Sequence, residues 1–263
     1  MVGQARLLKK LEDMTLDNFP KSVLLLGEKG CGKHTYLKLI SNKLNLNCVD
    51  VTEVISFEYI NELYQRSIPA IYYIDMDNFT DKKQNVILKF LEEPLANSYV
   101  VLLSTDKTLL LDTIVNRCVV FEFEKYSVSQ LQQFIESGED VELICNVLKT
   151  PGQILESNTD NLIKLYDLCL KLVEKLDKAS YVNTLSISDK INYKDEYSKF
   201  DLVVFFNMLN YVLLEKYKKV SDERIPEYLK KTIQFRRRFE QDKRLNKQQL
   251  FENYLSELWR LSR

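Results

Sequence analysis

The chain has 263 residues, enough for one large domain or two modest ones. Apolar types make up 45% and charged types 29%, with only 6 Gly and 5 Pro, so a buried core is affordable and collagenous, linker-rich and low-complexity classes are excluded. A formal charge of −1, from 37 basic and 38 acidic residues, argues against a protein that coats nucleic acid by bulk charge. In chain order, the opening stretch MVGQARLLKKLEDM is amphipathic and charged, with no apolar h-region of a secretory signal. Val23–Leu26 is a short apolar run ending at a glycine, and a helical pattern from Lys33 to Leu44 follows it. Ala70–Ile74 and the amphipathic Lys82–Leu91 repeat that order, as do Tyr99–Leu103 and a short helical piece around Leu109–Val115. Val119–Phe123 is the fourth such run. Strands that alternate with helices, each strand apolar throughout, predict a mainly parallel sheet covered on both faces.

After Phe123 the strand signals stop. Leu162, Leu165, Cys169, Leu172, Val173 and Leu176 recur at helical spacing, and Leu202–Leu214 is apolar nearly all round, as in a central helix packed by others. Leu250, Phe251, Tyr254, Leu255, Leu258 and Trp259 trace one more helical stripe. The polar stretch Leu185–Lys199 reads as a connection or a frayed helix start. Five cysteines (Cys31, Cys48, Cys118, Cys145, Cys169) lie far apart with no CxxC pair, which predicts reduced thiols, no zinc site and a cytoplasmic protein. The longest apolar runs, of about five residues, are far short of a bilayer span. From Glu215 onward 14 Lys/Arg face 8 Asp/Glu, a basic tail that suits solvated helix faces or, less simply, a phosphate or acidic partner. Arg236, Arg237 and Arg238 are the expected interface positions in it.

The chemistry is concentrated between the first strand and the first long helix. Gly27-Glu-Lys-Gly-Cys-Gly-Lys33-His34 matches the first seven positions of G-x-x-x-x-G-K-[ST] in the context that makes such a match meaningful. Gly27, Gly30 and Gly32 let backbone N–H groups turn inward around phosphate oxygens, the helix start adds its positive end, and Lys33 adds a point charge. The eighth position is His34, the only histidine, where a Ser or Thr hydroxyl would bind Mg²⁺. Imidazole is a poor ligand for a cation that prefers oxygen at about 2.1 Å. Thr35 stands roughly 100° further round the helix and is no substitute. The run Ala-Ile-Tyr-Tyr-Ile-Asp75-Met76-Asp77 ends a strand in carboxylates, but with Asp75 as the metal acid Met76 occupies the base position, and in the other register Ile74 replaces the metal acid. Binding of ATP with poor or absent hydrolysis, and no metal site, is the expectation.

Together these segments resemble the clamp-loader branch of the AAA+ ATPases, and within it the delta-prime subunits of the bacterial DNA polymerase III clamp loader. Val2-Gly3-Gln4 is similar to the family's N-terminal (I/V)GQ element, and Phe19–Gly27 to its strand leading into the phosphate loop. Gln84-Asn85-Val-Ile-Leu-Lys-Phe-Leu91-Glu92-Glu93-Pro94 resembles the QNALLKTLEEP helix, Leu95–Thr105 the sensor-1 strand, Asn116-Arg117-Cys118 the Ser-Arg-Cys motif, and Leu245–Leu255 the closing collar helix. The resemblance implies an AAA+ α/β core over 1–124 with a parallel sheet, a helical lid over 125–162 and an all-helical collar over 163–263. It implies Thr105 beside a nucleotide, together with Asp75, His34 and the loop residues, and Arg117 as a finger reaching the nucleotide of a neighbouring subunit. The partners implied are motor and clamp-opening subunits in a hetero-oligomeric ring, with the sliding clamp and primer–template DNA engaged through the complex and no membrane. Gly152, in Thr150-Pro151-Gly152-Gln153, stands where motor subunits carry a nucleotide-contacting arginine, and the four-cysteine zinc module of many relatives is absent. The pattern of damaged catalytic positions beside a retained arginine favours a stator. Two other readings stay open: a working ATPase motor, and a DNA-binding adaptor using the basic C-terminal half.

Overall fold

The computed structural model describes residues 2–66, 68–93, 97–136, 140–175, 202–220, 222–241 and 246–263. Residues fall into two compact units: 1–133 with 150–153, and 134–149 with 154–263. The stretch Leu185–Lys199 and Leu176 lie outside the described residues.

In the first unit, β1 (Ser22–Leu26), β2 (Asn47–Asp50), β3 (Ala70–Asp75), β4 (Tyr99–Ser104) and β5 (Val119–Glu122) form a parallel sheet in the order β2-β3-β4-β1-β5. Because successive side chains point to opposite faces, each apolar run feeds two cores. Leu24, Tyr72, Ile74, Val100 and Leu102 pack on one face with Ile60, Leu63, Ile87, Phe90 and Leu91, which come from α3 (Phe57–Arg66) and α4 (Asp81–Glu92). Val23, Leu25, Ile71, Val101, Leu103 and Phe121 pack on the other with Leu7, Tyr36, Leu37 and Ile40, from α1 (Ala5–Glu12) and α2 (Lys33–Leu44). Each such buried side chain contributes about 1.5–3 kcal/mol, so the double-faced sheet is the main source of this unit's stability. The predicted parallel α/β sheet is thus present. The additional strand β2 follows α2 after a left-handed turn at Asn45 (φ 52°) and pairs with β3 from Asn47↔Ala70 to Asp50↔Tyr73.

The core leaves the carboxyl ends of β1, β3 and β4 together at one edge, where α2 begins; open parallel sheets place ligands at such edges. Gln4 clasps the far end of β5: its Nε2 donates to the Glu124 carbonyl at 2.8 Å and its Oε1 accepts from the Glu124 N–H at 2.9 Å. The GQ element is therefore a two-bond tie, and Gln4 is fully buried.

The second unit is helical throughout its described residues: α7 (Val141–Val147), the end of α8 (Pro151–Glu156), α9 (Thr159–Lys175), α10 (Leu202–Lys219), α11 (Ile225–Gln241) and α12 (Lys247–Leu261); the short α5 (Asp112–Val115) and α6 (Val128–Leu131) belong to the first unit. Leu162, Leu165, Cys169, Leu172 and Val173 are all buried, as the helical spacing predicts. α10 packs on α7, α9 and α11, and its Phe205 and Phe206 meet Phe251 and Tyr254 of α12 edge-on. Asn246 caps α12 by accepting from the N–H groups of Gln248 and Gln249, which gives the asparagine of the closing-helix pattern a physical reason. The arginine cluster divides: Arg236 donates to Asn207 Oδ1 at 2.5 Å, Arg238 lies over the Phe235 ring, and Arg237 is exposed. Arg236 is therefore bound within its own unit, because the buried Asn207, whose Nδ2 donates to the Val147 carbonyl, needs a donor for its oxygen. Among the described residues no helix is long and apolar enough to cross a membrane.

Candidate functional site

The phosphate loop turns between β1 and α2 through Gly30 (φ 79°) and Gly32 (φ 103°), conformations that disfavour a side chain. Its hydrogen bonding is one-sided. Lys33 Nζ donates to the carbonyls of Gly27 (2.5 Å) and Glu28 (3.2 Å). The Lys29 carbonyl accepts from Thr150 Oγ1 at 2.8 Å, the Gly30 carbonyl from the Gly152 N–H at 2.9 Å, and the Cys31 carbonyl from the Tyr126 hydroxyl at 2.7 Å. The Gly32 carbonyl takes the Tyr36 N–H at 2.9 Å. Every carbonyl from Gly27 to Gly32 thus has a donor, while the N–H groups of Gly30, Gly32 and His34 meet no acceptor among the described residues. A loop with its acceptors spent and its donors free selects an anion, so this donor set fits phosphate.

The same neighbourhood does not fit Mg²⁺. The His34 ring stands edge-on to Tyr73, centroids 5.8 Å apart and 81° between planes. Asp50, at the end of β2, accepts from the Thr52 N–H at 2.9 Å. Although partial burial opposes it, hydrogen bonds from Thr52 and Tyr73 and the nearness of His34 hold the Asp50 carboxyl below its ordinary value. Burial first, then Asp50, pushes the Tyr73 hydroxyl up. Asp75 shares the phosphate-loop face of β3 with Tyr73, by strand alternation, but its Oδ1 accepts the Asp77 N–H at 3.0 Å. Met76, the residue after Asp75, is fully buried. Among the described residues no cluster of three or more His, Cys, Asp or Glu is placed to hold a metal.

Thr105, at the end of β4, is tied to the acid at the end of β3: Asp77 Oδ1 accepts from the Thr105 N–H (2.8 Å), the Thr105 hydroxyl (3.0 Å) and Ser104 Oγ (3.2 Å). Asp77, which the sequence left without a role, is the organiser of this corner. Gly152 lies so close to the loop that a Cβ there would sit 2.6 Å from Gly30 Cα. Gly152→Ala should therefore push Thr150–Gln153 off the loop and destabilise the first unit by about 1–3 kcal/mol, read from urea unfolding; an unchanged midpoint would mean that the contact carries no stability.

Arg117 is remote from this loop in the sequence and follows α5. It is exposed, its NH2 pairs with Glu92 Oε1 at 2.5 Å and its NH1 donates to the Thr113 carbonyl at 2.8 Å. Glu92 ends α4, and Gln84, nearer the start of the same helix, holds the other side of α5: its Nε2 donates to the Leu109 carbonyl at 2.8 Å and to the Phe79 carbonyl at 3.3 Å, and its Oε1 accepts from the Leu111 N–H at 2.9 Å. Leu111 is the N-cap residue of α5. One helix therefore fixes both the entry to the arginine's element and the arginine itself. The five cysteine thiols are all pushed above their ordinary value by burial, Cys118 to about 12.

This architecture is matched by the Thermotoga maritima RuvB Holliday junction branch migration motor, with a TM-score of 0.50 and 19% identity over 82% of this chain and 77% of that one. The shared fold is a parallel five-stranded sheet with flanking helices, followed by a helical C-terminal part. Residues 58–127, from α3 past β5, match the family model for DNA polymerase III, delta subunit. The replication factor C small subunit of Methanothermobacter thermautotrophicus is 21% identical over 71% of this chain and 64% of its own length. The DNA polymerase III subunit gamma of Buchnera aphidicola is 24% identical over 52% of this chain and 47% of its own. Over these stretches the chain is similar to clamp-loader proteins. It spans about half to two thirds of the length of these curated relatives.

Proposed function

We propose that the chain is a delta-prime-like stator of a DNA polymerase III clamp loader, acting in DNA replication in the cytoplasm. In this reading it completes a hetero-oligomeric ring with motor and clamp-opening subunits, meets the sliding clamp and primer–template DNA through that complex, and lends Arg117 to a neighbour's ATP site. The observation that carries it is the contrast within the first unit. The parts that would hydrolyse a nucleotide are spoiled by the His34–Tyr73 pair and the buried Met76, whereas Arg117 is exposed and held from two sides. An always-charged planar guanidinium suits charge that spreads over phosphoryl oxygens during transfer.

The chain's own loop retains a nucleotide role without turnover. The free N–H groups of Gly30, Gly32 and His34 would hold the phosphates, and Lys33 would leave the Gly27 and Glu28 carbonyls to add its charge. Asp75 and Thr105, both engaged with the Asp77 corner, border this site. The protein alone should therefore show no Mg²⁺-dependent ATP turnover above the background of its Lys33→Ala variant. Turnover that the Lys33→Ala change abolishes would move the chain to the motor reading.

A further inference from the structure

In the phosphate loop the backbone carbonyls are turned to donors of the protein, and the N–H groups of Gly30, Gly32 and His34 meet no acceptor among the described residues. The carbonyls of residues 27–32 are all occupied, and the position that should supply an oxygen ligand is an imidazole. We propose that this loop takes a triphosphate chain without a divalent cation, with a ring N–H of His34 donating to a phosphate oxygen where a metal would otherwise bridge. The inference rests on the nucleotide-holding part of the reading above and changes its ligand from the magnesium complex to the bare anion.

Three arrangements support it independently of the motif. His34 is exposed, so its ring is free to meet a ligand, and the T-shaped contact with Tyr73 gives that ring a fixed resting plane. Asp50, the carboxylate on the neighbouring strand, already accepts from Thr52 and Tyr73. Across the site Asp75 accepts the Asp77 N–H, the Asp77 carboxylate is turned to Thr105 and Ser104, and Met76 is buried. A bare triphosphate loses the two positive charges a metal would bring, and here Lys33, the α2 start and the His34 donor stand in for part of them.

Calorimetric titration of the full chain with ATP and with inorganic tripolyphosphate, each in EDTA and in excess Mg²⁺, tests this. ATP is expected to bind in EDTA at least as tightly as with Mg²⁺. His34→Ala should weaken binding in EDTA roughly tenfold or more, the loss of one charge-assisted hydrogen bond. His34→Thr, which restores the hydroxyl, should shift the preference toward Mg²⁺. Since His34 is exposed, thermal melts of both variants should match wild type, so any loss reads on binding. Comparing ATP with tripolyphosphate assigns the chain to a nucleotide or to a free polyphosphate. Binding that requires Mg²⁺, or that ignores His34→Ala in EDTA, overturns the inference and leaves nucleotide holding intact. No heat from either ligand in either buffer overturns both.

Discussion

Gln84→Leu should cost the first unit about 3 kcal/mol and misplace Arg117, although residue 84 lies far from the arginine in sequence. The substitution keeps the apolar volume but strands the Leu111 N–H and the Leu109 carbonyl, which Gln84 satisfies from a fully buried position. Each buried group left unpaired costs about 1–3 kcal/mol. Urea unfolding reads the stability, and a loss below about 1 kcal/mol would mean that water or a shifted backbone replaces those bonds. The consequence for Arg117 follows from α5 being a single turn. Once Leu111 is free, nothing but the Glu92 pair and the Thr113 carbonyl aims the guanidinium. Gln84 is thus expected to affect both stability and any trans activity, whereas Glu92, in a surface pair worth about 0–1 kcal/mol, affects stability little.

The buried strands were legible because each is a short run of apolar residues that a double-faced sheet requires. Helix α2 and the phosphate loop were legible from glycine spacing. Strand β2 was not: it is an edge strand reading Asn-Cys-Val-Asp, half polar and half exposed, and nothing in four such residues distinguishes it from a loop. Helix α3 was missed for a similar reason, since Phe57 points outward and the inward positions Ile60 and Leu63 are too few to set a period. At the site, sequence order named Arg117, Lys33, His34, Asp75 and Thr105 but not their partners. Asp77, Gln84 and Glu92 act through hydrogen bonds to residues some 25 or more positions away. Such pairings depend on strand order, which one sequence does not display. Gly152 could be seen as a departure from an arginine, while its backbone contact with Gly30, more than a hundred residues earlier, could not. Arg236 was read with its neighbours as an interface position, because the buried amide of Asn207 that captures it leaves no mark on helical periodicity.

Arg117→Ala carries the largest expected effect on function. In the proposed ring the guanidinium would exchange Glu92 for the neighbour's transferring phosphoryl group, a cheap exchange because the pair it leaves is exposed. A finger of this kind accelerates phosphoryl transfer by roughly a thousandfold or more, so the one site that depends on it should nearly stop. The chain's own fold should not notice, since Arg117 is at the surface and Thr113 and Glu92 are left solvated. Loss of ring assembly, by contrast, would make the residue an interface anchor and not a finger. The measurement that tests the stator account most directly is DNA- and clamp-stimulated ATP turnover by a ring reconstituted with the other loader subunits of the same organism, comparing wild type, Arg117→Ala and Lys33→Ala in this chain. The account predicts that Arg117→Ala lowers turnover by the share of one site with assembly intact, while Lys33→Ala leaves it unchanged. Full turnover in an assembled Arg117→Ala ring would contradict it.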